Sequence, residues 1–173
     1  MARPRTLTLD TIQIPILEAS SYSETIERVG GFVLLRTVLG SAKRQHNWAK
    51  HRITISGTGP LPSSLLELDH TVSHTLKLAT PVSINSLSNV IALPSARRSD
   101  VAVEGYAYTD VDGYLVETPV MVTVDTATLT VVPGAVGYKA VYWPQFTVFV
   151  DPPGLSADRR GFDYQWTMNC EEA

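Results

Sequence analysis

Two histidines, His70 and His74, are four residues apart, and this pair could bind a metal ion. On a helix, that spacing places both imidazoles on one face. The segment Asp69–Leu78 instead alternates polar and apolar residues, which predicts a strand. Residues four apart on a strand are separated by roughly 13 Å, too far to bind one ion. We therefore interpret both histidines as partly buried strand residues and expect no metal.

Asp110, Asp112 and Gly113 are similar to the start of a calcium-binding loop. An EF-hand loop needs a further oxygen ligand before its glycine and a glutamate about six residues after it. Gly113 follows Asp112 directly, and alternating segments flank the pair on both sides. Asp-Gly in that setting is typical of a β-hairpin turn. The sequence therefore predicts a hairpin here rather than a calcium site.

The one cysteine that could act as a nucleophile in covalent catalysis is Cys170, which lies beside Glu171 and Glu172. Neighbouring negative charge disfavours the reactive thiolate. Neither a Gly-x-Ser-x-Gly elbow nor a phosphate-binding loop is present. Carboxylates that meet only in the folded chain leave a small enzyme open as an alternative. We expect no catalytic residues, no cofactor and no enzymatic activity, and the single thiol excludes an internal disulfide framework.

A basic stretch between residues 43 and 52 carries four Lys/Arg and one tryptophan. Such a set could hold phosphates and stack a base. The chain as a whole has a net charge of −3 and lacks a recognisable nucleic-acid module, which disfavours a nucleic-acid partner. We interpret the stretch as an exposed hairpin arm or a subunit contact, with candidate assembly contacts at Lys43, Arg44, Trp48, Lys50 and Arg52.

Charge is distributed unevenly along the chain. Residues 1–86 hold nine Lys/Arg and six Asp/Glu, a net +3, whereas residues 87–173 hold five and eleven, a net −6. A positive surface on one copy could steer onto a negative surface of another. The alternative is that two surfaces of one subunit differ in charge without any role in assembly.

The composition predicts an all-β protein with little helix. Val, Thr and Ile number 45 of 173 residues, and Gly and Pro, which form turns, add 22. We expect one domain over residues 1–173, a β-sandwich or barrel with long hairpin arms. An extended N-terminal segment would span 1–20, and a hairpin arm would span 32–56. No apolar run approaches the ~20 residues needed to cross a membrane, and no signal-peptide core is visible.

Several local patterns predict where strands begin and end. The Gly30-Gly31 pair should end one segment, Gly40-Ser41 should form a type II′ turn, and Ser63 should cap a helical turn. Val122–Val132 reads as a continuing strand. The segment from Asp151 to Gly161 reads as a loop, followed by an aromatic strand in which Trp166 packs in the core.

The segment Val29–Gly59, VGGFVLLRTVLGSAKRQHNWAKHRITISGTG, resembles a pattern in small structural proteins of long-tailed bacteriophages. There, a strand leads through a Gly-Ser turn to a Gln/Trp/Lys return strand and a Thr-Ile-Ser-Gly-x-Gly element. The segments that begin at Tyr142 (YWPQF) and Tyr164 (YQWTMNCEE) resemble the terminal strands of tail-tube, distal-tail and baseplate proteins.

This resemblance implies a virion protein of the phage tail, made in the host cytoplasm. It would assemble as a trimeric or hexameric ring or collar that joins the tail tube to baseplate or fibre proteins. Its partners would be its own copies and other tail or baseplate proteins, with no membrane partner. The alternative is a β-sandwich that binds a carbohydrate or receptor through exposed aromatic residues such as Trp48, Tyr106, Tyr108 and Trp143.

Overall fold

The computed structural model describes residues 6–14, 21–109, 114–158 and 163–173 of the chain. Strand accounts for 64% of these described residues and helix for 3%, which confirms the all-β prediction. No helix within these ranges is long and apolar enough to cross a membrane.

The described residues form fifteen strands and one short 3-10 helix, Ser64–Glu67, between the fourth and fifth strands. In chain order the strands are β1 (Thr8–Leu9), β2 (Ile12–Gln13), β3 (Ser21–Arg36), β4 (Ala42–Gly59), β5 (His74–Lys77), β6 (Val82–Ser86), β7 (Val90–Ala92), β8 (Glu104–Thr109), β9 (Leu115–Thr118), β10 (Val120–Thr123), β11 (Thr126–Leu129), β12 (Ala135–Tyr142), β13 (Gln145–Val150), β14 (Gly154–Asp158) and β15 (Asp163–Glu172).

These strands form three open sheets. The largest has eight strands in the order β2-β1-β5-β13-β15-β4-β3, with β14 also paired to β15. A four-stranded sheet has the order β6-β12-β8-β9, and a three-stranded sheet the order β10-β11-β7. None of the three closes into a barrel within the described part of the chain. The edge strands β3 and β9 are therefore each paired on one side.

The chain divides into two compact units that are discontinuous in sequence. Unit 1 comprises residues 1–8 and 76–146, and unit 2 comprises residues 9–75 and 147–173. Our expectation of a single domain over 1–173 stays a prediction.

Unit 1 contains a small β-sandwich. Its core joins side chains from the four-stranded sheet, such as Tyr138 and Ala140, to side chains from the three-stranded sheet, such as Ile91 and Leu129. Alternation along these strands directs one face inward, as in β11, where Ala127 and Leu129 are buried. Burial of these apolar side chains is the main force that stabilises the pair of sheets.

Unit 2 has its core where β4 lies beside β15. Three residues of each strand are direct cross-strand partners on one face: Ile53 with Cys170, Ile55 with Met168, and Gly57 with Trp166. Apart from Gly57, these side chains are at most 2% exposed. A Cβ atom at Gly57 would lie 2.5 Å from the Trp166 ring, so only glycine leaves room for the indole. Trp166 thus packs in the core, as its alternation predicted.

Other local predictions are confirmed. The Ser63 hydroxyl accepts a hydrogen bond from the backbone N–H of Leu65 at the start of the 3-10 helix. Strands β8 and β9 pair antiparallel, as a hairpin requires, although Asp112-Gly113 lies outside the described residues.

The prediction for Val122–Val132 is wrong. The segment holds the end of β10, a two-residue turn at Val124-Asp125 and then β11. Val124 has φ of 52°, a conformation that disfavours a β-branched residue. Arg97 stabilises this turn, since its guanidinium donates to the Val124 carbonyl and to the Asp125 carboxylate at 2.7 Å. Arg97 is distant from the turn in sequence, so no local sequence pattern predicts the turn.

Two further local predictions are corrected. The segment predicted as a loop after Asp151 contains β14, which pairs with β15 from Gly154↔Thr167 to Asp158↔Asp163. The strand predicted over Asp69–Leu78 begins only at His74, because Asp69 accepts hydrogen bonds from the backbone N–H and the hydroxyl of Thr71 and so forms a turn. His70 and His74 therefore do not share a strand.

Candidate assembly surface

The hairpin of β3 and β4 extends beyond the sheet that supports it. Strand β15 pairs with β4 only from Arg52 to Gly59, whereas β3 and β4 pair with each other up to Arg36↔Ala42. Every residue from 32 to 48 is exposed. We call this two-stranded segment, residues 32–48, the arm. It lies within the predicted hairpin arm of 32–56, whose remaining residues belong to the supporting sheet.

A bulge lies at the base of the arm, at the glycine pair that was predicted to end the strand. Strand β3 continues through it, and Asn47 and Trp48 of β4 together lie opposite Gly31. A Cβ atom on Gly31 would lie 3.0 Å from the Trp48 indole nitrogen, and one on Gly30 would lie 2.3 Å from the Trp48 carbonyl oxygen. The glycine pair therefore lets Trp48 approach the β3 backbone instead of ending the strand.

The turn at the arm tip differs from the predicted type II′ turn. The backbone N–H of Gly40 donates to the Thr37 carbonyl at 2.8 Å, so Val38 and Leu39 occupy the centre of the turn. Gly40 follows the turn with φ of 82°, which glycine adopts without strain. Such a three-residue loop with a glycine bulge places Val38 and Leu39 at the tip, where they are 105% and 94% exposed.

The two strands of the arm differ in chemistry. Strand β3 contributes four consecutive apolar side chains, Phe32 to Leu35, all exposed. Their cross-strand partners on β4 are His46, Gln45, Arg44 and Lys43, in that order. The Phe32 ring stacks on His46 with centroids 5.0 Å apart, and the Arg44 guanidinium lies 4.6 Å from the Phe32 centroid. The arm therefore presents an apolar strand and tip beside a basic strand.

The five predicted assembly contacts divide into two groups. Lys43, Arg44 and Trp48 lie on the arm, and Trp48 is 50% exposed. Lys50 and Arg52 lie below it and contact the end of the chain: Lys50 donates to the Ala173 carbonyl, and Arg52 lies 3.4 Å from Glu171. Our assignment of all five to assembly stays a prediction, but only the first three lie on the arm.

A further contact beside Lys50 and Arg52 was not predicted. Glu172 accepts a hydrogen bond from the His51 backbone N–H at 2.9 Å, and its carboxylate lies 2.8 Å from the His51 ring. These residues are more than 100 positions apart in sequence. The basic residues 50–52 and the acidic pair at 171–172 are visible in the sequence, but nothing local indicates that the two segments pair.

His74 has a structural environment. Its Nδ1 atom lies 2.6 Å from an Asp10 carboxylate oxygen, and its Nε2 atom lies 2.7 Å from the Asp69 carbonyl oxygen. Burial lowers the pKa of His74, but its hydrogen bonds to Asp10 and to the Asp69 carbonyl outweigh burial and raise the pKa above 6.5. Because both partners accept, the imidazole donates from both nitrogens as a cation. Within the described ranges, no three His, Cys, Asp or Glu side chains group as a metal would need.

The remaining sequence candidates have the following positions. Burial, with the nearby charge of Asp151, raises the pKa of the Cys170 thiol to about 12, so the thiolate does not form at neutral pH. Asp110, Asp112 and Gly113 lie outside the described residues. Trp143, expected to be exposed in a carbohydrate site, is 2% exposed, and its indole N–H donates to the Ala79 carbonyl at 3.0 Å.

A cleft in unit 1 with both apolar and charged walls was not anticipated. Its volume is about 740 Å³, and it lies beside β9. Valines 101, 103, 120 and 122 contribute its apolar walls, and Glu104 and Glu117 line it with acidic groups. Its two arginines are paired: Arg97 with Asp125 at 2.7 Å, and Arg98 with Asp100 at 2.8 Å. The valines are separated in sequence, so no single pattern revealed the cleft.

The chain was compared with family models, with curated proteins and with solved structures, and none of the three comparisons found a match.

Proposed function

We propose that the protein is a structural subunit of a long-tailed phage tail, at the distal tail or baseplate, and that it works by assembling into a ring or collar. The observation that supports assembly is the arm. Its apolar side chains at Phe32–Leu35, Val38 and Leu39 are exposed on a two-stranded segment. The tail location rests on the resemblance of Val29–Gly59 to small phage tail proteins.

An uncovered arm of this kind favours a docking partner. A contiguous exposed apolar surface on a soluble protein commonly marks an interaction site. A two-stranded hairpin by itself is at best marginally stable in water, so contact with another surface would stabilise the arm as well. An obligate subunit orders and buries such a segment when it assembles.

A carbohydrate- or receptor-binding role is the second proposal and has less support. Such a site needs exposed aromatic faces on which a sugar ring can stack. Trp48 offers one in unit 2, but Trp143 is buried, and Tyr106 and Tyr108 in unit 1 are only partly exposed. The arm is therefore the better-supported functional element.

Removal of the arm tests the assembly proposal. Residues 31–48 are replaced by Asn-Gly, which joins the cross-strand partners Gly30 and Ala49 through a two-residue turn. Light scattering and negative-stain images should show a trimer or hexamer for the wild-type protein and a monomer for the truncated variant. Circular dichroism should show the same β signal for both.

Two results would overturn this proposal. One is a wild-type protein that stays monomeric at every concentration, and the other is a truncated variant that keeps the wild-type mass. Immunogold labelling of virions with an antibody to the purified protein tests the location separately. Label at the distal tail supports the proposal, and label confined to the capsid contradicts it.

A further inference from the structure

The charge of the arm restricts what can cover it. Residues 29–66 contain no Asp or Glu, and the arm carries Arg36, Lys43 and Arg44. Two arms placed against each other would bring these cations together, and like charges across an interface are destabilising. A symmetric contact between arms is therefore disfavoured, and the complementary surface should be apolar and acidic.

The β8–β9 hairpin and the cleft beside it carry that complementary chemistry on the same chain. The described residues 104–109 and 114–118 contain two glutamates, Glu104 and Glu117, and no Lys or Arg. Glu117 is exposed on β9, next to the exposed apolar side chains of Leu115 and Val116. Because β9 is the last strand of its sheet, its outer edge is open among the described residues.

The cleft offers the arm tip a group of four valines, Val101, Val103, Val120 and Val122. Its charged lining comprises Glu104, Glu117 and Asp125 together with Arg97 and Arg98, and each arginine is paired with an aspartate. Val38 and Leu39 are the most exposed apolar side chains of the arm, at 105% and 94%, and the basic strand of the arm begins three residues after Leu39, at Ala42. Docking would place the tip against the valines and the basic strand of the arm beside Glu117.

We infer that the arm of one copy docks on a second copy, with Val38 and Leu39 in the cleft and Lys43 and Arg44 facing Glu117. The inference rests on the proposed function and names its contact surface. The two surfaces are different, so the contact is head-to-tail. Repetition of such a contact generates a ring when the rotation closes.

Charge reversal tests the inferred electrostatic contact between the arm and Glu117. Glu117→Lys and the pair Lys43→Glu, Arg44→Glu should each weaken self-association at least tenfold, measured by sedimentation at fixed salt. All three substitutions on one chain should restore association to within about threefold of wild type. Glu67→Lys, an equal charge change on an exposed residue outside both surfaces, should have no effect.

Cross-linking tests the contact itself. The double variant Leu39→Cys with Val122→Cys should form disulfides between copies under mild oxidation. The native Cys170 is buried and should not compete in this reaction. The control pair Leu39→Cys with Val136→Cys places the second thiol on an exposed residue outside the cleft and should not cross-link. Cross-linking of both pairs at equal rates would contradict docking in the cleft.

The outcomes separate this inference from the proposed function. Loss of assembly on arm truncation, combined with no effect of Glu117→Lys, overturns the cleft as the docking surface and leaves assembly through the arm intact. A truncated variant that still assembles overturns both. Arm-dependent binding to vesicles of equimolar phosphatidylserine and phosphatidylcholine, without self-association, would identify an anionic lipid surface as the partner and overturn the inference.

Discussion

The two halves of the β3–β4 hairpin have the same strand pairing but opposite environments. Below the bulge, β15 pairs with β4, and every second residue of β4 from Ile53 onward is buried. Above the bulge, in the arm, no third strand is paired among the described residues, and all side chains are exposed. Burial against β15 therefore stabilises the base, whereas the arm has only the pairing of its own two strands, which by itself is at best marginally stable in water.

The largest expected contrast is between a core side chain of the base and an apolar side chain of the arm. Trp166→Ala removes a buried indole from the core of unit 2 and should lower the free energy of unfolding by ~3–5 kcal/mol. Leu34→Ala on the arm removes an exposed side chain and should change it by less than ~0.5 kcal/mol. Denaturant unfolding monitored by circular dichroism measures both, and equal effects would contradict the contrast.

A smaller contrast concerns two glycines. Gly57→Ala forces a Cβ atom to within 2.5 Å of the Trp166 ring and should cost ~1–3 kcal/mol of unfolding free energy through overpacking. Gly40→Ala at the arm tip meets no atom within 4 Å, so its cost should be limited to the positive φ, about 1 kcal/mol. A larger cost at Gly40 than at Gly57, measured by denaturant unfolding, would reverse the comparison.

The pH dependence of stability should distinguish buried His74 from exposed His46 on the arm. The folded-state pKa of His74 lies above its ordinary value of 6.5, so folding favours the protonated ring. The stabilisation of the folded state by protonated His74 should be complete below pH 6.5. It should be lost as pH rises through the folded-state pKa. His74→Gln should remove this decline in denaturant titrations, and His46→Gln should not; an unchanged decline in His74→Gln would contradict this assignment.

A small effect should also come from the polar contacts of Glu171 and Glu172 just below the arm. Glu172→Gln weakens a contact with His51 in which both side chains are partly exposed, at 33% and 27%. We expect a loss of at most ~1 kcal/mol in unfolding free energy, since exposed pairs contribute little. Glu171→Gln, whose partner Arg52 is more exposed, should cost less still. A loss above that of Gly57→Ala would show that these contacts, rather than the packing against β15, stabilise the base.

Local patterns predicted much of the fold because they depend on neighbouring residues. β-branched composition indicated the all-β class, alternation located Trp166 in a core, and the Ser63 cap follows from a hydroxyl two residues before its donor. The predictions at the Gly30-Gly31 and Gly40-Ser41 pairs were wrong, because pairing and packing between β3 and β4 determine the backbone conformation there. Gly30-Gly31 forms a bulge because Trp48 packs over it, and Gly40 follows the turn instead of starting it.

The sequence by itself determined the all-β class, the basic stretch and the acid-free composition of the arm, because these depend only on residue type and local order. The tertiary structure alone decided which basic residues remain on the arm and which contact the chain end. Lys50, His51 and Arg52 meet residues 171–173 through β4–β15 pairing, and separated valines meet Glu117 in one cleft. Contacts between residues so distant in sequence follow from strand order and register, which no local pattern specifies.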